Sequence, residues 1–352
     1  MLNLLITQKL NGLELNKPMN TEELNIIIKN IRSKGFPHYE ASEKFRKNAL
    51  KKFLNYDFWK EDKFLESYPD GSYGFGVLHS GIRYLWSYFS QERATVKCGH
   101  FLTPMEAFES DQVLMDVLMY HLQEHKEQLS GSALRDWLLK HPSVQCISNF
   151  RPTAAAAIYD VLLPFDESIV WDPCMGYGGR LLGAVKADKV KMYIGTEPNT
   201  TTFNKLTVIK NELQQTAQGS AMNYDLINNP LEDYDNLPCN GVDLVFTSPP
   251  YFDTEKYSNE TTQSWVRYSD YEQWKEKFLK VLIDKAFYCL RPKTGILALN
   301  VKDCKNCIDL ESSTINYALK RGFILKRVHK YLLSNYNGKR SNFEPIFEFW
   351  KP

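Results

Sequence analysis

The residues best suited to chemistry are Ser248-Pro249-Pro250-Tyr251, directly behind the apolar run Val242-Asp243-Leu244-Val245-Phe246. Two adjacent prolines neither extend a central strand nor sit inside a helix, so a buried strand must end there in a stiff, extended turn. The turn brings a hydroxyl, backbone carbonyls and an aromatic ring to one strand end. Pro249 and Pro250 carry no N–H, so acceptors dominate the local polarity. A flat ligand that bears an amino group suits such a place, and a nucleobase is one. By itself Pro-Pro-Tyr is usually a plain turn or a short polyproline segment. Its position behind a buried strand, downstream of a glycine-rich loop, argues for function.

That loop follows Ser168-Ile169-Val170-Trp171, a short buried strand by its composition. It reads Asp172-Pro173-Cys174-Met175-Gly176-Tyr177-Gly178-Gly179-Arg180 and leads into the helical Leu181-Leu182-Gly183-Ala184-Val185. Strand, glycine turn and helix form the nucleotide-binding arrangement of open α/β sheets. The glycines admit a ligand close to the backbone, and the helix start offers N–H groups to an anion. The spacing Gly176-x-Gly178-Gly179 departs from the dinucleotide pattern G-x-G-x-x-G. Glu197-Pro198 follows the next strand, where a ribose-binding carboxylate falls in such folds. A third strand-like segment ends near Asn223-Tyr224-Asp225. Asp225 is either an acceptor for an adenine amino group or a plain loop aspartate.

In this order, Asp172-Pro-Cys-Met-Gly-Tyr-Gly-Gly179, Glu197, Asp225 and Ser248-Pro-Pro-Tyr251 resemble the S-adenosylmethionine-dependent DNA amino-methyltransferases, which act on cytosine N4 or adenine N6. Asn149-Phe150-Arg151-Pro152-Thr153, ahead of the first strand, is similar to the family's additional cofactor motif in its unpermuted order. The resemblance spans Ser148 to the C-terminus. It implies a Rossmann-like class I methyltransferase sheet with a C-terminal antiparallel hairpin. It also implies S-adenosyl-L-methionine as cofactor, held by Phe150, Arg151, Pro152, Thr153, Asp172, Pro173, Cys174, Met175, Gly176, Gly178, Gly179, Glu197, Pro198, Asp225 and Ser248. Catalysis falls to Ser248, Pro249, Pro250 and Tyr251. The expected partner is double-stranded DNA, with a cognate restriction endonuclease where the setting is restriction-modification.

The implied chemistry needs few parts. An exocyclic base amine is a poor nucleophile because its lone pair is delocalised into the ring. The Ser248 side chain and the Pro249 carbonyl, accepting its two N–H bonds, would draw the nitrogen towards a tetrahedral shape. In-line placement supplies much of the remaining acceleration. Tyr251 would stack on the base, worth about 1–3 kcal/mol, and a base inside a duplex has to be flipped out to arrive there. Phe252 lines the base pocket or belongs to the core. Ser rather than Asp ahead of Pro-Pro-Tyr points to cytosine N4, with adenine N6 as the alternative. An RNA base amino-methyltransferase and a non-catalytic methyltransferase-like nucleic-acid-binding subunit are the further readings.

The elements that must position these residues divide the chain at residue 147. Residues 1–147 read as a mostly helical domain suited to target recognition, with helices from Thr21 to Ile31, along Tyr39 to Tyr56, from Pro104 to His125 and near Ala133 to Leu139. Thr103, Pro104 and Glu106 spell a capping box at the third of these. Tyr68 to Gly76 reads as a loop. Residues 148–352 alternate strands and helices, the pattern of a parallel sheet covered on both faces. Strands are expected at Ile169–Trp171, Met192–Gly195, around Ala221, at Leu244–Thr247 and at Ile296–Asn300. Two antiparallel strands close the chain, joined by a loop whose Lys339 and Arg340 suit phosphate contact. Lys320, Arg321, Lys326, Arg327 and Lys330, with Tyr331 interleaved, suggest the same or a solvated sheet edge. Asp253 to Tyr268 is polar and long enough for a lid.

With 352 residues and a net charge of +1, nucleic-acid contact has to come from local patches. No run of about twenty apolar residues is present, so a membrane span is not expected. The N-terminus lacks the basic region of a secretory leader, and seven scattered cysteines suggest reduced thiols in a cytoplasm. Cys304-Lys305-Asn306-Cys307 is at most half a zinc site, because no second pair stands at ligand spacing and only Cys98-Gly99-His100 groups other ligand types. No bound metal is expected.

Overall fold

The computed structural model describes residues 21–124, 129–333 and 342–352. The chain divides into two compact units, Met1–Glu40 with Phe89–Ser148 and Ala41–Tyr88 with Asn149–Pro352. The first unit is built on helices Thr21–Arg32, Pro104–Glu109, Asp111–Glu124 and Gly131–Leu138, whose apolar faces bury Leu24, Ile28, Phe108, Leu114, Leu118, Leu134 and Leu138 together. The capping box forms as its residue types dictate: Thr103 Oγ1 accepts from the Glu106 N–H and the Glu106 carboxylate accepts from the Thr103 N–H. The single helix expected from Pro104 to His125 is interrupted at Ser110. Its backbone is extended (ψ 120°) and its hydroxyl accepts from the Val113 N–H, so this serine ends one helix and starts the next.

The second unit holds one nine-stranded sheet. Its strands are β1 (Leu65–Ser67), β2 (Tyr73–Gly76), β3 (Ser168–Asp172), β4 (Val190–Thr196), β5 (Asn223–Ile227), β6 (Leu244–Thr247), β7 (Ile296–Asn300), β8 (Ile324–Leu332) and β9 (Phe343–Trp350). Their spatial order is β1-β2-β8-β9-β7-β6-β3-β4-β5. The run β5-β4-β3-β6-β7 is parallel throughout. β9 lies antiparallel between β7 and β8. This is the Rossmann-like class I methyltransferase sheet expected from the sequence, with its closing antiparallel hairpin. Every residue of β6 and β7 is buried, as continuous apolar strands covered on both faces must be.

The covering helices are α1 (Pro152–Leu162), α2 (Gly179–Lys186), α3 (Thr200–Leu213), α4 and α5 (Leu310–Arg321). α4 runs on through Tyr271–Trp274, a π turn at Lys275–Leu279 and Lys280–Cys289. α1 and α2 approach closely because small residues meet, and a Cβ on Gly183 would lie 2.5 Å from the Ala155 Cβ. Trp274, Phe278, Leu282 and Ala286 of α4 pack with Ala318 of α5 and Phe349 of β9 in the main core.

Residues 41–88 depart from the sequence expectation, which grouped them with the N-terminal domain. They belong to the unit that carries the sheet. The stretch read as a loop contains β2, which pairs in parallel with β8, while β1 extends it as a hairpin. Its Tyr-Gly-Phe-Gly sequence hides the strand because two of its four residues are glycines, which strands disfavour. A Cβ on Gly74 would lie 2.7 Å from the Tyr68 hydroxyl, and one on Gly76 3.0 Å from the Phe64 carbonyl.

Candidate active site

In an open parallel sheet, ligands bind beyond the carboxyl ends of the strands where the strand order reverses. Here that point lies between β3 and β6, which are paired at Val170–Leu244 and Trp171–Val245. The glycine-rich loop leaves β3 and Ser248-Pro-Pro-Tyr251 leaves β6, so pairing alone makes them neighbours. Side chains lock the two together. Fully buried Asp172, the last residue of β3, accepts from Thr247 Oγ1 at 2.9 Å, Tyr193 Oη at 2.7 Å and Arg180 Nε at 2.9 Å. Asp172 therefore organises the loop and ties it to β6.

The loop then follows the β4 edge. The Met175 N–H donates to the Thr196 carbonyl at 3.1 Å, and Thr196 Oγ1 donates to the Pro173 carbonyl at 2.6 Å. Met175 lies over Gly195, where a Cβ would stand 2.2 Å from its sulfur. Cys174 is half-buried, and its carbonyl accepts from Arg180. Gly176 and Gly178 hold φ of +52° and +77°, backbone that favours glycine. Glu197 accepts from the Gly176 N–H at 3.0 Å and the Asn199 N–H at 2.9 Å. Burial pushes its carboxyl up to about 8, against the pull of those two amides. Pro198, beside it, is half-buried.

Asn149 to Thr153 closes the other side of the loop. Asn149 Nδ2 donates to the Tyr177 carbonyl at 3.0 Å, and a Cβ on Gly179 would fall 2.0 Å from the Phe150 carbonyl oxygen. The Phe150 ring is buried, stacked on Tyr331 at 4.5 Å and edge-on to Phe246. Arg151 caps α1, its N–H donating to Tyr331 Oη at 3.1 Å, and Pro152 occupies the first helical turn. Thr153 is fully buried, and its hydroxyl has no partner among the described residues.

Beyond β6, Ser248 is half-buried and Pro249 buried. Burial raises the Tyr251 pKa well above its ordinary value, and the Ser248 side chain opposes that rise. Two carboxyls unnoticed in the sequence, Glu255 and Glu344, interact with Tyr251 and with each other, and burial raises both. An acid within the apolar Phe343 to Trp350 strand was the available signal for Glu344. Phe252 has φ +48°, a conformation that is an outlier for a bulky residue. Its ring turns to Tyr271 and Trp274, at 6.0 and 6.5 Å, and packs half-buried against the main core.

The segment expected to act as a lid returns over the β4 end. Glu260 accepts from the Thr200 N–H and hydroxyl at 3.1 and 3.0 Å, Thr262 Oγ1 donates to the Pro198 carbonyl at 3.0 Å, and the Tyr257 ring meets Tyr177 edge-on at 5.9 Å.

Some expected residues are not brought together. Asp225 is exposed within β5, in register with Ile194, two residues short of the strand end that faces the loop. The edge position belongs to Asn228, whose Nδ2 donates to the Glu197 carbonyl at 2.9 Å. The basic C-terminal residues are largely engaged within the fold: Arg321 with Asp284, Arg327 with Glu348, Lys326 over Trp350 and Lys330 over Tyr68. Lys339 and Arg340 lie outside the described residues. Among the described residues, no group of three or more His, Cys, Asp or Glu could hold a metal ion, and no helix is long and apolar enough to cross a membrane.

No family model matches the chain, and no curated protein does. Its structure is similar to precorrin-6y C5,15-methyltransferase from Geobacter metallireducens GS-15 (17% identity over 56% of this chain and 88% of that chain, TM-score 0.38). It is similar also to a methyltransferase from Pyrococcus furiosus (17%, 57% and 82%, TM-score 0.40). A third is TYW2 of M. jannaschii in complex with AdoMet (16%, 57% and 74%, TM-score 0.35). Likeness at this level bears on neither substrate nor chemistry; the fold assignment rests on the strand order.

Proposed function

We propose that this protein transfers a methyl group from S-adenosyl-L-methionine to the exocyclic amine of a base in DNA, with cytosine N4 favoured over adenine N6. The observation that carries the proposal is the junction of two loops at the sheet's switch point, Ser248-Pro-Pro-Tyr251 beside Asp172 to Gly179, joined through Thr247 and Asp172.

The loop residues fit an adenosine-bearing cofactor. Gly176 faces open space, with nothing within 4 Å of where a Cβ would stand. Glu197, held by two amides, retains lone pairs for ribose hydroxyls, and Asn228 stands at the next strand end. Pro173, Cys174, Met175, Gly178 and Gly179 shape this wall, and Thr153 Oγ1 is an unused polar group behind it. When bound, the cofactor supplies a methyl group already activated by a positive sulfur. The chain's part is then to orient an amine and exclude water. The Ser248 hydroxyl and the Pro249 carbonyl, which has no partner among the described residues, accept the amine's two N–H bonds. Tyr251 offers its ring to the base, and Glu260 and Thr262 hold the cover in place. Lys339 and Arg340 are proposed phosphate contacts, and a duplex substrate requires base flipping.

The test is nucleoside mass spectrometry on DNA incubated with the protein and deuterated-methyl S-adenosylmethionine. Labelled N4-methylcytosine is expected. Labelled N6-methyladenine would change the base and keep the mechanism, while a label in structured RNA alone would overturn DNA as substrate.

A further inference from the structure

Cys304-Lys305-Asn306-Cys307, too poor in partners to be a zinc site, takes a definite shape beyond the end of β7. The Cys304 N–H donates to the Cys307 carbonyl at 3.1 Å and the Cys307 N–H to the Cys304 carbonyl at 3.0 Å, making the cysteines a hydrogen-bonded antiparallel pair. Such pairs hold their Cα atoms about 5.5 Å apart, inside the range of about 4.4–6.8 Å that a disulfide spans. Burial, with Cys304 beside it, pushes the Cys307 thiol up. Both ends of the turn are anchored. Asp303 and Glu311 exchange backbone-to-carboxylate hydrogen bonds at 3.1 and 2.8 Å, and Asp309 pairs with Lys275 at 2.8 Å.

The dithiol also touches the loop that carries the tetrapeptide. Cys304 Sγ lies 3.5 Å from Thr254 Oγ1, and Asn306 Nδ2 donates to Asp253 Oδ1 at 2.9 Å. Thr254 in turn donates its N–H to the Tyr251 carbonyl at 3.0 Å. Of the two residues between them, Phe252 is held at φ +48°.

We propose that Cys304 and Cys307 form a reversible dithiol–disulfide site that reacts with low-molecular-weight disulfides and sets the position of the Tyr251–Thr254 loop. Cys304 is half-buried and Cys307 buried, so Cys304 is the attacking thiolate. Its sulfur bonds to one sulfur of the small disulfide, whose S–S bond breaks and releases a thiolate that takes up a proton. Cys307 then gives up its proton and attacks Cys304 Sγ, expelling the second small thiol. The protein dithiol is oxidised by two electrons, and the small disulfide is reduced to two thiols. Cys304 is partly exposed, and a disulfide open to solvent is of the labile kind that small thiols reopen.

This consequence for activity rests on the methyl-transfer reading, whereas the disulfide chemistry does not. The full chain is incubated with glutathione disulfide, alkylated and mapped by peptide mass spectrometry, with and without later dithiothreitol. A Cys304–Cys307 disulfide that dithiothreitol reopens is expected, together with altered proteolysis of residues 251–263. Cys304→Ser is expected to abolish both changes. Where methyl transfer is measurable, oxidation is expected to lower it about tenfold in the wild type and leave Cys304→Ser unaffected. Both cysteines still alkylated, with glutathione carried only on exposed Cys239, would overturn the site. A disulfide that forms without any change in proteolysis would overturn its link to the loop.

Discussion

Glu197 is a carboxyl whose surroundings can be read by titration. Its folded-state pKa, raised from 4.5 to about 8 by burial, means that the native protein keeps a proton the unfolded chain has already released. Between those values the unfolded state binds fewer protons, so stability falls as pH rises. Glu197→Gln removes that titration. The wild-type melting temperature is expected to decline relative to the variant from about pH 5 to about pH 8, and parallel melting curves would sink the assignment. The acceptor pair makes a second, kinetic claim. Ser248→Ala removes one of two groups that shape the amine, and a loss of about 100-fold in kcat with little change in cofactor affinity is expected, by analogy with removing one oxyanion contact. Tyr251→Ala removes the stacking face instead. Its loss should fall mainly on KM, by about 1–3 kcal/mol, and single-turnover kinetics would separate the two effects.

At the scale of elements, the glycine loop offers a contrast between positions that look alike in sequence. A methyl group at Gly179 would collide with the Phe150 carbonyl at 2.0 Å, backbone against backbone. Gly179→Ala is therefore expected to cost at least about 3 kcal/mol, the upper end of overpacking, seen as a fall in urea midpoint. At Gly176 nothing stands in the way, and the cost is the positive φ alone, about 1–2 kcal/mol. Its methyl would project into the space assigned to the cofactor. Calorimetry on Gly176→Ala should thus show cofactor binding lost from a protein that still folds. The cover segment is separable in the same way. Thr262→Ala removes its 3.0 Å hydrogen bond to the Pro198 carbonyl, and a several-fold rise in cofactor KM with an unchanged melting temperature is expected.

For the whole molecule, the consequential placement is that of residues 41–88. β2 covers the β8 edge, the Tyr73 N–H donates to His329 Nδ1 at 3.0 Å, and Tyr84 Oη donates to Glu212 of α3 at 2.9 Å. A chain begun at Ser148, the boundary that motif order suggests, would expose the β8 edge and strand the buried His329–Glu348 pair. The uncovered edge at Lys330–Leu332 leaves backbone groups unpaired, which invites aggregation. That truncation is expected to be insoluble, and a monomeric, cooperatively melting product would show that residues 41–88 are dispensable. Removing the N-terminal helices to probe target recognition therefore has to spare 41–88.

The sequence by itself determined the parallel sheet, its closing hairpin, the glycine-rich loop and the proline-rich turn after β6. These are local properties: apolar runs of strand length, glycines where φ must be positive, and prolines that end a strand. It also located the capping box at Thr103, because that device involves residues only three apart. Only the tertiary structure decided which side chains share a place. Strand pairing put Asp172 against Thr247, and register left Asp225 inside β5 while bringing Asn228 to the edge. Long-range packing stacked Phe150 on Tyr331, set Phe252 against Tyr271 and recruited 41–88 to the sheet. It also set Glu344 and the Cys304–Cys307 turn beside a loop some fifty residues or more away in sequence. Periodicity and turn chemistry act over a few residues, whereas the direction a side chain faces depends on partners that the chain supplies from far away.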